Sequence, residues 1–282
     1  MDSWAITKNQ NTDDRIVERA NLPLTFDAVD GVAFAATKGK LNLRASKRFT
    51  IDSIGPFLEL FQLEGQGVVP CSDGFTTHLH RETAELKAGL QRRMPLWFCS
   101  SKQSGFLRTL SKDDDLTRSL HFGSQAERAA ITAGFSKEVA AQLAAAILEM
   151  IDNIYLHSRS VISGLAVFKA KENTFEFTVL DSGTGILRSL RQCSEYASLS
   201  DHGDALQLAL TDGCSRFGSG SKHGHGFRPL FIGLSNLKGS LRFRSGDHAL
   251  VIDGTDPKGI PWTKIAKPEI GGFLASVCCC SR

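Results

Sequence analysis

Three short segments in the second half of the chain carry side chains and glycines that could form a nucleotide site. They are residues 149–153 (Glu-Met-Ile-Asp-Asn), residues 181–185 (Asp-Ser-Gly-Thr-Gly) and residues 224–226 (Gly-His-Gly). A carboxylate can accept a hydrogen bond from an exocyclic amine, and glycines let the backbone approach a flat ring or turn sharply. Taken together, the three segments predict a site for a nucleotide and its phosphates.

The first segment is predicted to lie on a long amphipathic helix, residues 136–158. Apolar residues recur there at helical spacing, and Ser136 can cap the N-terminus. Glu149 and Asn153 are one turn apart on such a helix, and His157 follows one turn later. We therefore expect the three side chains to project from one side, where they could face one ligand.

The second segment follows an apolar run that predicts a strand, residues 174–180. Asp181 stands at the end of this strand, where its carboxylate could accept from an exocyclic amine. Gly183 and Gly185 come directly after it and allow a close approach or a sharp turn.

The third segment closes a stretch with few large side chains, residues 217–226, and an apolar helical pattern follows at 227–237. A loop of this kind before a helix N-terminus is suited to phosphate oxygens. Glycine-rich tripeptides are common in turns, so the order and spacing of the three segments carry more weight than any one of them.

This order of a helix with Glu and Asn, a strand ending in Asp-x-Gly-x-Gly, a glycine loop, a helix and paired strands resembles the GHKL ATPases. The superfamily contains DNA gyrase B subunits, heat-shock chaperone ATPases, mismatch-repair ATPases, sensor histidine kinases and anti-sigma-factor serine kinases. The resemblance covers roughly residues 116–277. It implies a Bergerat-type α/β sandwich, a mixed sheet with helices on one face.

The resemblance also implies a role for individual residues. Asn153 would coordinate Mg²⁺ at the phosphates, which suits the preference of that ion for oxygen ligands. Glu149 would be the general base for the attacking water or hydroxyl. Asp181 would accept from the adenine amino group, with Gly183 and Gly185 shaping the pocket.

Four further residues receive roles from the same resemblance, and the implied cofactors are ATP and Mg²⁺. Ile186 would pack near the adenine ring. Gly224 and Gly226 would form the hinge and the phosphate-facing turn of a lid. Lys222, in that lid, is a candidate for neutralising phosphate charge, although lysines in such loops are more often simply solvated.

Two motifs depart from the family pattern. The glycine box usually continues Gly-x-Gly-Leu, whereas residues 224–229 read Gly-His-Gly-Phe-Arg-Pro. The final strand of the family often carries Gly-Thr, whereas residues 271–273 read Gly-Gly-Phe. No His-Glu phosphoacceptor segment precedes residue 136, so we reject a sensor histidine kinase. The presence of both Glu149 and His157 around Asn153 is more similar to the anti-sigma serine kinases, whereas Asp152-Asn153 resembles the gyrase-type box.

The first 110 residues are predicted to form a smaller α/β domain, because short strand-like and helix-like segments alternate there. Their order loosely resembles STAS domains, the partners and substrates of anti-sigma kinases, with residues 51–56 similar to the loop before the first helix of that family. The resemblance implies that Ser53 lies near the regulatory serine, while a helix cap is the ordinary role of such a serine. The polar stretch 100–116 is predicted to be the linker between domains 1–110 and 111–282.

Composition predicts a cytoplasmic protein without membrane spans. Hydrophobic residues make up 41% of the chain, which suffices for a core, and no apolar run approaches the ~20 residues that a span requires. The net charge is only +3 without a dense Lys/Arg block, so nucleic-acid binding is not indicated. Seven cysteines at irregular spacing argue against a disulfide framework.

Two groups of basic residues are not assigned to phosphate or zinc binding. Arg242 and Arg244 are predicted to lie on a solvent-exposed face. His157, His223 and His225 fit no standard zinc spacing, so Mg²⁺ is the one metal expected.

Three functions from different classes remain open. The chain could be an ATP-dependent serine kinase acting on a regulatory protein partner, or an ATPase or ATP-gated switch whose lid, residues 214–225, orders over nucleotide. It could instead be a catalytically inactive interaction module. The presence of both Glu149 and Asn153 favours an active site, and a homodimer is possible because many relatives dimerise.

Overall fold

The fold is built on a six-stranded sheet with a smaller three-stranded sheet beside it. The computed structural model describes residues 22–41, 49–70, 76–78, 81–210, 239–253 and 262–281. In this part of the chain the strands are β1 (Leu22–Pro23), β2 (Phe49–Thr50), β3 (Thr76–His78), β4 (Leu96–Phe98), β5 (Ser104–Arg108), β6 (Leu165–Lys171), β7 (Thr174–Asp181), β8 (Ser240–Asp253) and β9 (Thr263–Cys280). The α-helices are α1 (Phe26–Thr37), α2 (Ile54–Gly65), α3 (Arg81–Gln91), α4 (Lys112–Thr132), α5 (Lys137–Asn153), α6 (Ile186–Leu190) and α7 (His202–Ala209).

The larger sheet has the strand order β4-β5-β6-β7-β9-β8, and every pairing between its described strands is antiparallel. β6 and β7 form a hairpin whose turn residues, Glu172 and Asn173, have φ values of 32° and 64°. Left-handed turn residues match the twist of the two strands and so favour a tight hairpin. The hairpin places β7 in the interior of the sheet, between β6 and β9.

Helices α4 and α5 cover one face of this sheet. Phe122 of α4 packs against Phe168 of β6, with ring centroids 5.3 Å apart. Ile147 of α5 is buried in the same core cluster, together with Phe177 and Val179 of β7. This face therefore holds the larger hydrophobic core of the chain.

Helices α1, α2 and α3 cover the opposite face. Val29 of α1 and Leu58 of α2 are buried there with Val167, Leu180 and Leu274 of the sheet. The sequence predicted a mixed sheet with helices on one face, whereas the described sheet is antiparallel and has helices on both faces. The reason is that α1, α2 and α3, from the front of the chain, pack on the face of the sheet that was predicted to have no helices.

The predicted linker at residues 100–116 is wrong, because it contains strand β5. Ser104–Arg108 pairs with β6 along its whole length, and Phe106 and Leu107 are completely buried. The sheet therefore extends across the expected boundary at residue 110. The strand was missed because its two apolar residues stand among Ser, Gly, Lys and Arg, and its pairing partner lies about sixty residues away in sequence.

The front of the chain shows the alternation of short strands and helices that the sequence predicted. β1, β2 and β3 pair in parallel in the order β1-β2-β3, and α1 and α2 connect them. A parallel arrangement needs such crossover connections. The resemblance to STAS domains stays a prediction.

The long helix of the second half begins as predicted and ends earlier. The hydroxyl of Ser136 accepts from the backbone N–H of Val139 at 3.3 Å and caps α5. After Asn153 the chain widens into a π-helical turn, Ile154–Ser158, which ends at Arg159 with a left-handed φ of 56°. Single π-helical turns are frequent at functional sites.

One helical stretch in the described part, Lys137–Ser158, is long and apolar enough by length and composition to cross a membrane. The stretch is not an uninterrupted apolar run, because it contains Lys137, Glu138, Glu149 and Asp152. Its residues Leu143, Ile147 and Ile151 are buried against the sheet, while Glu149 and Asp152 are exposed. This is the amphipathic pattern of a core helix.

Arg242 and Arg244 are buried, which corrects the prediction that they face solvent. Both side chains lie on the face of β8 that is covered by α1 and α2, and Arg244 is completely buried. Arg242 pairs with Asp30 at 2.7 Å and with Glu59 at 2.6 Å. Arg244 pairs with Glu59, and Lys267 of β9 pairs with Asp30. We refer to these five side chains as the buried charge cluster.

The charge cluster holds Arg242 in its charged form. Burial by itself lowers the pKa of this guanidinium, but Glu59 and Asp30 outweigh burial and raise the pKa above its ordinary value. The partners are more than 180 residues from the arginines in sequence, which is why spacing along the chain gave no sign of them.

Replacing Glu59 by Gln should destabilise the fold by about 3 kcal/mol, because it leaves buried arginine charge without its partner. Glu64→Gln on the same helix is the matched control, since the Glu64 side chain has no partner in the described part of the chain and should cost less than about 0.5 kcal/mol. Urea unfolding of both variants measures the difference. Equal stabilities for the two variants would contradict the importance of the cluster.

Candidate functional site

Asp181 is the last residue of β7 and is buried at the edge where that strand ends. Side chains alternate along a strand, so Asp181 shares a face with Phe177 and Val179, the face that α5 covers. The residue as a whole is 2% exposed. The sequence placed Asp181 at a strand end, and the structure confirms this position.

One oxygen of this carboxyl is occupied by the turn that follows. Oδ1 of Asp181 accepts a hydrogen bond from the backbone N–H of Gly183 at 2.5 Å. Oδ2 has no hydrogen-bond partner among the described residues. Oδ2 can therefore accept a hydrogen bond from a group other than the described residues, such as a ligand.

Burial raises the pKa of Asp181 to about 6, against the lowering effect of the hydrogen bond from Gly183. A buried carboxylate is costly because it loses its hydration. A ligand that donates a hydrogen bond to Oδ2 would favour the ionised form and recover part of that loss. The perturbed pKa thus marks Asp181 as a candidate functional group.

The backbone around Asp181 is packed so closely that glycine is required at two positions. A side chain at Gly183 would collide with the carbonyl oxygen of Ser158, and one at Gly272 would collide with the carbonyl oxygen of Asp181. Gly272 also has a left-handed φ of 73°. The glycine at position 272 is therefore a packing requirement of this chain.

Ser245 of β8 joins the turn to the last strand. Its hydroxyl donates to the carbonyl of Gly272 at 2.7 Å and accepts from the backbone N–H of Ile186 at 3.0 Å. Gly185, with a φ of 77°, precedes Ile186 and begins α6. Ile186 is half-buried and packs against the core cluster beneath α5, so Asp181, Gly183, Gly185 and Ile186 lie in one compact turn.

The end of the long helix meets this turn directly. The carbonyl oxygen of Ser158 accepts from the backbone N–H of Thr184 at 2.7 Å and from its hydroxyl at 2.9 Å. Nδ1 of His157 lies 3.4 Å from the hydroxyl of Ser189 on α6. The first and second predicted segments are thus brought together through Ser158 and Thr184, neither of which the sequence had singled out.

Glu149 and Asn153 lie on the last turns of α5, four residues apart as predicted. Glu149 is exposed and Asn153 is half-buried. Neither side chain forms a hydrogen bond or ion pair with another described residue, so both are available to a ligand. No hydrogen bond joins them to Asp181 within the described chain.

His157 is placed differently from the expectation. It was expected one α-helical turn beyond Asn153 on the same side, but it lies in the π-helical turn, whose hydrogen bonds span five residues instead of four. The wider turn changes the direction of the side chain, which contacts the hydroxyl of Ser189 on α6.

Two glutamines of α2 reach the same strand end from the opposite face. Nε2 of Gln62 donates to the carbonyl of Asp181 at 2.8 Å. Gln66 exchanges two hydrogen bonds with the backbone of Gly271, at 3.0 and 2.8 Å. The sequence contained one sign of them, since they are four residues apart, which is one turn of a helix.

Lys222, Gly224 and Gly226 lie outside the described residues, as do the lid at 214–225 and the histidines His223 and His225. Within the described residues there is no group of three or more His, Cys, Asp or Glu side chains arranged to hold a metal ion. A single amide ligand such as Asn153 is not a group of this kind.

The chain was compared with known proteins by family and by sequence. No protein-family model matches it, and a search of curated proteins returned no match.

The stability of the ligand-free protein should fall as the pH rises from about 4 to about 6. The pKa of Asp181 is about 6 in the folded chain and about 3.9 in the unfolded chain, so the folded state binds more protons between these values. The resulting stability is present below about pH 4 and is lost as the pH rises through about 6, by about 3 kcal/mol in all. Asp181→Asn should lack this loss when urea unfolding is measured at both ends of the window. Parallel pH profiles of parent and variant would contradict the assignment.

Proposed function

We propose that the chain is a GHKL-type protein with a Bergerat-type nucleotide site, which binds Mg-ATP and acts on a regulatory protein partner as an ATP-dependent switch or serine kinase. The observation that carries the proposal is the carboxyl group of Asp181. It is buried, it has one oxygen fixed by Gly183, and its other oxygen has no partner among the described residues.

The chemistry of Asp181 favours adenine over guanine. A carboxylate accepts hydrogen bonds and donates none, and adenine presents an amino group where guanine presents a carbonyl oxygen. A guanine carbonyl opposite a buried carboxylate would leave two acceptors facing each other. We therefore expect ATP to bind and GTP to be rejected.

The residues of α5 fit the phosphate end of the ligand. The amide of Asn153 is half-buried and has no other partner in the described chain, so its oxygen could hold Mg²⁺. The ion would neutralise phosphate charge. Glu149, one turn earlier and exposed, is the candidate general base for water or for a serine hydroxyl.

One observation favours the switch over a free-standing enzyme. The front of the chain is hydrogen-bonded to the backbone of the proposed adenine site through Gln62 and Gln66. A change at the site can thus affect the surface of the front domain. Phosphoryl transfer to water and to serine needs the same groups, so the proposal includes both acceptors. It also includes a cytoplasmic location and a homodimer.

Calorimetric titration of Mg-ATP into the intact protein tests the site. Asp181→Asn keeps the acceptor for Gly183 but turns a donor toward the adenine amine, so we expect affinity to fall at least about tenfold. Asp152→Asn is the matched control, because it removes one exposed carboxylate from α5 and should bind like the parent.

Two further titrations sharpen this test. GTP should not compete with ATP in the parent. Binding of ATP should weaken as the pH falls below about 6, because the protonated carboxyl is no longer a pure acceptor. If the parent binds no Mg-ATP, the alternative of a catalytically inactive interaction module takes the place of this proposal.

Glu149→Ala should bind Mg-ATP within about threefold of the parent while losing at least about a hundredfold in turnover, because a general base acts in the chemical step. Asp152→Ala, an exposed carboxylate three residues along the same helix, should retain both properties. Phosphate release and transfer to protein are measured in parallel. Full turnover by Glu149→Ala would remove its role as the base.

A further inference from the structure

Helix α2 lies along strand β7 and is anchored to it at its N-terminal end. The hydroxyl of Ser53 and the backbone N–H of Ile54 donate to the same oxygen of Glu176, at 2.8 and 2.9 Å. The N-cap residue Ser53 makes no capping bond with its own helix. Glu176, on the sheet, takes the place of such a cap by accepting from the N–H of Ile54. An acidic group at a helix N-terminus is favourable.

The C-terminal end of α2 is anchored to the end of the same strand. Nε2 of Gln62 donates to the carbonyl of Asp181 at 2.8 Å and lies 3.4 Å from the carbonyls of both Gly271 and Phe273. Gln66 adds a hydrogen bond to the hydroxyl of Ser182 at 3.2 Å besides its two bonds to Gly271.

The dimensions of helix and strand match. The thirteen residue-to-residue steps from Ser53 to Gln66 span about 20 Å of helix, and the six steps from Glu176 to Ser182 span about 20 Å of extended chain. Both ends of α2 therefore reach a partner on β7 without bending either element. The fit fixes the helix in position along the strand.

Gln62 is an unusual residue for its position if packing alone is considered. It is 3% exposed in a helix whose neighbours are apolar, and its Oε1 has no hydrogen-bond partner in the described chain. A buried amide oxygen without a partner is unfavourable by about 1–3 kcal/mol, and Leu or Met would fill the space without this penalty. The NH₂ group must therefore contribute something that an apolar side chain cannot, and the three carbonyls at the strand end are its acceptors.

We infer that Gln62 and Gln66 are positioning residues of the nucleotide site, an inference that rests on the proposed function of Asp181. They hold the carbonyls of Asp181 and Gly271 from one face of the sheet, so that the carboxyl of Asp181 is directed to the other face. The site is thus built from both helix layers. The front of the chain is part of the nucleotide site, and displacement of α2 weakens binding of adenine nucleotides.

Three variants test this inference. Gln62→Met keeps the volume and removes the donor, and Gln66→Ala removes the second anchor at a half-exposed position where folding is less at risk. Ser53→Ala removes one hydrogen bond at the far end of α2 and is the matched control. Each variant is titrated with Mg-ATP by calorimetry, and the carboxyl of Asp181 is titrated by NMR in the ligand-free protein.

We expect Gln62→Met and Gln66→Ala to lose about tenfold in affinity for Mg-ATP. In both variants the titration midpoint of Asp181 should move from about 6 toward the ordinary value near 3.9, because water gains access to the loosened turn. Ser53→Ala should keep the affinity and the midpoint of the parent. A merely structural role would lower stability in all three variants and leave the midpoint unchanged.

Unchanged midpoints in both glutamine variants would overturn the inference, and so would an equal shift in Ser53→Ala. If the parent does not bind Mg-ATP, the proposed function fails. The NMR titration then still decides whether the glutamines position Asp181, because it needs no ligand.

Discussion

The buried charge cluster is the interaction on which the arrangement of the whole chain depends. Three cationic and two anionic side chains are removed from water between the front helices and the last two strands. Burial removes several kcal/mol of hydration from each ion, and only well-placed partners offset that loss. The cluster is therefore favourable only in one arrangement of α1, α2, β8 and β9. Because α2 carries both Glu59 and Gln62, the arrangement that satisfies the charges also brings an amide donor to the end of β7.

The candidate site follows from this double-sided packing. From one face, the π-helical turn that follows α5 brings the carbonyl of Ser158 into contact with the turn after β7. From the other face, α2 fixes the backbone of the same turn. Asp181 lies between the two layers, and its raised pKa is the electrostatic result of being enclosed by both. The second layer comes from the front of the chain, through Gln62 and Gln66.

Local features of the site could be predicted from sequence, and features that depend on distant partners could not. The cap at Ser136, the helix that bears Glu149 and Asn153 and the strand that ends at Asp181 are each determined by side chains within a few residues. The burial of Arg242 depends on Asp30, more than two hundred residues away, and the pairing of β5 depends on β6. Likewise, helical periodicity gives no signal for the π-helical turn that contains His157.

The position of β9 in the sheet has a consequence for biosynthesis. This strand, Thr263–Cys280, is inserted between β7 and β8, both of which precede it in the chain. Until it has emerged from the ribosome, β7 presents an unpaired apolar edge, and the arginines of β8 have no sheet that would hold them beneath α1 and α2. Exposed strand edges of this kind promote aggregation of nascent chains. The larger sheet therefore closes only after β9 has been synthesised, and the same strand brings Lys267 to the charge cluster.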